Sequence, residues 1–295
     1  MTTRSRRDQE MPHAPLHALL IAATAVTIYP VLWVVSIAFS GKQSLAIADL
    51  PSNPGFRDRL RAITPWPEHW TLSNFSSVMT DQPFGRWLLN STIVAVLTTV
   101  LGVLLSCTAA YAFSRFKFPG RRVGMMAFLV SQMFPGTLML IPLYIIVVQV
   151  LGLGSSQAGL VIVYATTSIP FSVWMLKGYF DTIPKELEEA AIIEGASAGK
   201  IFWRIVLPLA KPAVAITALF SFMTSWNEFI LAATFMDKEE MYTAPVGLRF
   251  FVGGFSQQWG YFAAGSIIVS IPVVLLFLYL QKYLVSGLTA GSVKG

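Results

Sequence analysis

From Trp87 to Phe113 the chain runs through 27 consecutive residues without a Lys, Arg, Asp or Glu. A helix rises 1.5 Å per residue, so a run of this length crosses the roughly 30 Å of a bilayer's hydrocarbon core. Five comparable apolar runs occur at about residues 15–39, 123–149, 156–178, 212–235 and 261–285. Helices satisfy their own backbone groups within one segment, so six transmembrane helices and no membrane strands are expected. The fold class is therefore an all-α integral membrane protein. With 55% apolar residues and only 12% charged ones, the chain lies outside the range of soluble domains.

Charge sets the expected orientation. Of the 21 Lys and Arg residues, fourteen fall in the segments placed inside and seven in those placed outside, where seven acids offset them. The loop 114–122 carries Arg115, Lys117, Arg121 and Arg122 and is the clearest inside marker. The expected layout is a cytoplasmic tail at 1–14 with Arg4, Arg6 and Arg7, a first span at 15–39, and an extracytoplasmic loop at 40–86. A core of spans two to six at 87–285, which includes the polar stretch 181–208, and a cytoplasmic tail at 286–295 follow. Trp66, Trp70 and Trp87 suit an interface belt, and the first run is too long for the core of a signal peptide. Pro135-Gly136 and Pro142 should bend or break the third span. The net charge of +6 follows from these inside loops and gives no reason to expect nucleic acid. The lone Cys107 excludes an internal disulfide, and His13, His17 and His69 lack metal-ligand spacing.

The polar stretch 181–208, DTIPKELEEAAIIEGASAGKIFWRIVLP, interrupts the apolar second half. Asp181 or Thr182 is expected to cap a first short helix, with Pro184 in its first turn and Glu186, Glu188 and Glu189 at its positive dipole end. Gly195 should end it, and Ser197 should cap a second helix carrying Ile201, Phe202 and Ile205 on one face. Small Ala190 and Ala191 beside Leu187 predict a low surface that another protein could approach closely. The segment Gly195–Ile201 has glycines and a lysine but lacks the spacing and the Ser or Thr of a phosphate-binding loop, so no nucleotide site is expected on this chain.

The spacing of Glu189, Ala190, Ala191, Gly195, Ile205, Leu207 and Pro208 resembles the EAA signature of membrane subunits of ATP-binding-cassette importers. Glu194 stands where many of that family have Asp. The C-terminus Gly287–Gly295, the stretch Trp87–Ser91 and Trp226-Asn227-Glu228-Phe229 are similar to the MalG-like sugar permeases. The resemblance covers most of the chain and implies the type I importer permease fold, six spans with a cytoplasmic coupling helix pair. It also implies a second homologous (MalF-like) permease, a dimer of (MalK-like) ATPase subunits that bind ATP and Mg, and an extracytoplasmic sugar-binding protein. No cofactor is expected on the chain itself. The implied function is bacterial inner-membrane import of maltose or maltodextrin, with trehalose, sucrose, another oligosaccharide or glycerol phosphate as alternatives. The tail residues Gly291, Ser292, Val293, Lys294 and Gly295 are implied to reach toward the ATPase.

Trp226, Asn227 and Glu228 are the candidate residues of the translocation path. An ionisable group inside a span is a functional hypothesis by default, and a structural or gating bond is the competing reading for Glu228. Gln132, Thr166, Thr167, Ser168, Ser221, Thr224 and Ser225 are scattered polar groups that could serve packing, while Trp174, Phe220 and Phe222 could offer faces to a sugar. An ion-coupled secondary transporter would want paired acids near the bilayer midplane, and an intramembrane enzyme would want a catalytic constellation. Glu228 alone supports neither.

Overall fold

The computed structural model describes residues 13–291, with side chains over 14–283. Every regular element among the described residues is helical. Four helices are long and apolar enough to cross a membrane: α1 (His13–Phe39), with α2 (Phe56–Ala62) and α3 (Ser73–Thr80) after it, then α4 (Phe84–Arg115), α7 (Gln157–Thr182) and α14 (Trp259–Gly291). Two bent pairs bring the number of candidate spans to six. In the first, α5 (Arg121–Met133) meets Gly136–Val150, which contains α6 (Leu140–Tyr144), at 103°. The break falls at Pro135-Gly136, where proline cannot donate to the preceding turn. The polar stretch forms α8 (Glu186–Ile193), α9 (Ala198–Ile201), a π-helical turn Phe202–Val206 and α10 (Leu207–Leu209). The rod Ala198–Leu209 then meets α11 (Lys211–Asn227) at 80°.

The described chain divides into two compact units. One comprises the chain up to Gln82 with Phe250–Ile268. Here the segment 40–86, read from sequence as a plain loop, contains α2 and α3. Its pivot is the buried Asn74, whose Nδ2 donates to the Ala38 carbonyl at 2.9 Å and whose Oδ1 accepts from Gln43 Nε2 at 2.8 Å. A Cβ on Gly260 would stand 2.5 Å from the Lys42 carbonyl, so only glycine admits this approach.

The second unit comprises Pro83–Arg249 with the chain from Val269 on. Its centre is α4 packed on α7 and α11. Gly102 of α4 sits where a Cβ would be 3.4 Å from the hydroxyls of both Ser168 and Ser221, and small residues at such crossings let backbones draw together. At one end, α4 pins the segment 239–248, which includes α13 (Ala244–Leu248). Trp87 Nε1 donates to the Glu239 carbonyl, Asn90 Nδ2 to those of Glu240 and Tyr242, and Ser91 Oγ accepts from the Ala244 amide. The stretch Trp87–Ser91 thus has a structural account as the anchor of that segment.

The fifth run departs from the single helix expected over 212–235. Helix α11 stops at Asn227, Glu228 is extended with ψ 130°, and α12 (Ile230–Phe235) follows. The fourth span likewise runs on past Lys177 to Thr182.

Candidate coupling site

The elbow between α8 and α9 forms because Gly195 takes φ +81°, a conformation that costs an L-residue about 1–2 kcal/mol. Its amide donates to the Ile192 carbonyl and that of Ala196 to the Ala191 carbonyl, the paired bonds that close a helix on a left-handed residue. Ser197 then accepts from the Lys200 amide and starts α9. Asp181 and Thr182 do not cap α8, as the sequence suggested, because α7 extends through both. Asp181 instead accepts from Ser114 Oγ at 2.6 Å and Lys177 Nζ at 2.5 Å.

The underside of the elbow is a continuous apolar seat. Ile183, Ala191, Ile201, Phe202 and Val206 pack with Cys107, Ala110 and Tyr111 of α4 and Val173, Leu176 and Phe180 of α7. Through that seat passes one ion pair. Arg115 Nε donates to Glu188 Oε1 at 2.5 Å, with side chains only 7% and 10% exposed. Tyr111 donates to the other carboxylate oxygen at 3.1 Å, and the Arg115 guanidinium also reaches the Ile183 carbonyl and Ser114 Oγ. Both charges are paired and bonded on several sides, as buried charges must be. The pair ties α8 to the last turn of α4.

The sequence-derived site residues divide between two faces. Glu189 and Ala190 are exposed and form, with Leu187, Ile192 and Ile193, a rim of which Ile193 is 87% exposed. Ala191 is turned into the seat rather than onto the low surface expected of it. Ile205 and Leu207 lie half-buried against that same seat. Pro208 is exposed two residues after the end of the π turn. A proline there has no N–H to offer the Arg204 carbonyl, so the ladder must adjust, and a π turn is one such adjustment.

The Arg115–Glu188 pair was missed from sequence, where Arg115 was counted only as an inside-loop base and Glu188 only as a dipole partner. Glu188 shares a helical face with Ala191 three residues later, but only the seat on α4 and α7 shows that this face is the buried one.

The three path candidates separate. Trp226 is 1% exposed, stacks on Phe222 and donates to the Val269 carbonyl at 3.1 Å, so packing occupies both its ring and its polar atom. Asn227 is exposed and donates back to the Met223 carbonyl. Glu228 accepts from the Leu231 and Ala232 amides at 2.9 and 3.0 Å and from Tyr164 Oη at 2.8 Å. Its carboxylate thereby caps α12 and fastens the helix break to α7. Of the tail residues, Gly291 closes α14, and 292–295 lie outside the described residues.

Several apolar spans, two of them broken, with a polar elbow seated on the ends of two others, define a multi-span helical membrane protein. The chain belongs to the family of binding-protein-dependent transport system inner membrane components, which matches residues 102–289. It is a multi-pass permease subunit of an ABC importer. It is 37% identical over 282 residues to the galactooligosaccharides transport system permease GanQ of Bacillus subtilis, covering 94% of each chain. It is 34% identical to the maltodextrin transport system permease MalD of Streptococcus pneumoniae over the full length of both. It is 35% identical to the maltose/maltodextrin permease MalG of Vibrio vulnificus, covering 95% of each. A chain of the crystal structure of a bacterial ABC transporter that imports the acidic polysaccharide alginate shares the fold, with TM-score 0.76, 23% identity, and 96% and 99% of the two chains covered.

Proposed function

We propose that this subunit forms half of the translocation path of an importer for maltose or a maltodextrin and transmits ATP-driven motion through the 181–208 elbow. The observation that carries the coupling role is the elbow's division of labour: an apolar, ion-paired underside rigidly seated on α4 and α7, and a rim of Leu187, Glu189, Ala190, Ile192 and Ile193 left uncovered within the chain. A partner gripping that rim moves the spans with it. In this reading Gly195, Ala191, Ile205, Leu207 and Pro208 shape the elbow, and the partner contact falls on Glu189 and Ala190.

ATP and Mg belong to a dimer of partner ATPase subunits on the cytoplasmic side, where both termini of this chain also lie, and no cofactor is held here. A second, homologous permease completes the path, and an extracytoplasmic binding protein delivers the sugar. In the same reading, the tail residues Gly291–Gly295 contact the ATPase dimer. Asn227, exposed beside the helix break, is the path residue of the three candidates, while Glu228 serves the joint.

The maltodextrin assignment draws on relatives named for that substrate along the whole chain. A galactooligosaccharide is the second reading, favoured by the 37% relative. The test is to co-express the chain with its genomic neighbours, reconstitute the complex in lipid and measure ATPase rate against binding protein loaded with maltotriose or with a β-galactooligosaccharide. Stimulation by one loaded form names the substrate. Purification without any ATPase subunit, with uptake driven by an ion gradient, would refute the coupling role.

A further inference from the structure

The segment after α1 carries a surface that the importer mechanism does not use. At 100° per residue, Phe56, Leu60 and Ile63 at the i, i+4 and i+7 positions of FRDRLRA and its next residue fall within one narrow arc. Arg59 borders that arc on one side and Arg57 on the other, and Asp58, the helix's only acid, lies on the opposite side. The apolar arc is turned outward: Phe56, Leu60 and Ile63 are 80%, 51% and 59% exposed, and Trp66 and Trp70 continue it at 67% and 51%.

Two hydrogen bonds fix where this surface sits. Tyr29 Oη donates to the Ile63 carbonyl at 2.7 Å, and Trp33 Nε1 to the Leu45 carbonyl at 3.3 Å. Tyr29 precedes the end of α1 at Phe39 by ten residues, about 15 Å of helix. The segment therefore folds back beside the spanning helix instead of projecting from its end. Phe39 packs on Trp70, and Trp66 meets Trp70 edge-on at 5.1 Å, so the returning segment is held to the same helix.

Arg57 and Arg59 make no ion pair among the described residues, whereas Arg61 pairs with Glu68 at 3.3 Å. Arg57, Leu60, Arg61, Thr64 and Trp66 border a cavity of about 430 Å³, with Glu68, the partner of Arg61, in the same lining. A narrow apolar arc flanked by arginines and aromatic rings, tethered beside a spanning helix, matches the chemistry of a bilayer interface.

We propose that residues 54–70 form a foot lying in the outer leaflet, with Phe56, Leu60 and Ile63 among the acyl chains and Arg57 and Arg59 on lipid phosphates. The proposal rests on the orientation in which 40–86 faces outward. The test uses the full transporter complex in nanodiscs, with an environment-sensitive fluorophore on Ile63→Cys, Arg61→Cys or Ser52→Cys; Cys107 is buried, and Cys107→Ala serves as a parallel background. Acyl-chain nitroxide lipids should quench the label at 63 about twofold or more over that at 61. Adding phosphatidylglycerol to phosphatidylcholine should deepen the quenching, and Arg57→Gln with Arg59→Gln should remove that lipid dependence. Iodide quenching at 63 as complete as at 52 overturns the proposal, and so does shielding from both quenchers, which means a protein covers the arc. A membrane-impermeant maleimide on Ser52→Cys in spheroplasts separates the two levels: no labelling sinks the orientation and the foot together, while labelling without lipid contact at 63 sinks the foot alone.

Discussion

Replacing Arg115 with Ala should loosen α8 without unfolding the spans. Glu188 would keep only the Tyr111 bond, leaving a carboxylate 10% exposed with no counter-charge. Breaking a buried pair from one side costs about 3–5 kcal/mol. Helix α8 has eight residues, too few to persist undocked, so the loss is expected as local opening rather than global unfolding. At 1.36 kcal/mol per tenfold, amide exchange over 187–194 should accelerate by roughly two to four orders of magnitude. Amides in the middle of α4 and α7 should be unchanged. Hydrogen-exchange mass spectrometry on the reconstituted complex reads both regions together, and stimulated ATPase activity should fall in parallel. Glu188→Ala should do the same from the other side, with a smaller effect because Arg115 retains the Ile183 carbonyl and Ser114. The double replacement Arg115→Met with Glu188→Leu removes both charges and should recover most of the protection. Exchange over 187–194 within about threefold of the parent in Arg115→Ala would refute the claim that this pair holds the elbow.

Gly195→Ala has open space for its methyl group but must adopt φ +81°, so the elbow should lose about 1–2 kcal/mol, seen as reduced coupling of ATP hydrolysis to uptake at normal expression. Gly247→Ala puts a Cβ 2.0 Å from the Trp87 ring, against neighbours that cannot yield, and should lower the melting temperature and yield of the complex sharply. Tyr164→Phe should cost about 1–3 kcal/mol in thermal stability by removing one bond to the Glu228 carboxylate, with uptake remaining insensitive to a proton ionophore. Deleting Gly291–Gly295 should lower stimulated ATPase activity while membrane insertion, measured by fractionation, stays normal.

The spans, the bend at Pro135-Gly136 and the glycine elbow were legible because each follows from a local rule: hydropathy, a missing donor, a positive φ. What escaped was decided by neighbours distant in sequence. Nothing within Ala190-Ala191 states which alanine faces outward until α4 and α7 supply the seat. Asp181 has the composition of a cap, but Ser114, 67 residues earlier, draws it into the last turn of α7. Glu228 suggested a site because charge inside a span is costly, and three donors meet that cost locally. Helices α2 and α3 were lost in a segment whose turn-forming residues outweigh its short apolar periodicity.

The two breaks that bound α11 give the elbow mechanical consequence. At one end the rod Ala198–Leu209 turns by 80° into α11 around Ala210, which is fully buried in the seat shared with α4 and α7. At the other, Glu228 ends the helix and fastens the joint to Tyr164 of α7. Between them α11 packs along α4 and α7 with Ser168, Ser221 and Gly102 at close approach. Packed interiors transmit displacement instead of absorbing it. On the proposed reading, a pull on the rim at Ile192 and Ile193 should therefore reach α4 through Arg115 and the far joint at Glu228 through α7, with the three helices responding as one body. Cutting the Arg115–Glu188 tie should uncouple the rim while leaving the Tyr164–Glu228 joint intact, whereas Tyr164→Phe should soften the far joint with the rim still seated. That pair of variants separates transmission from reception of the motion within a single chain.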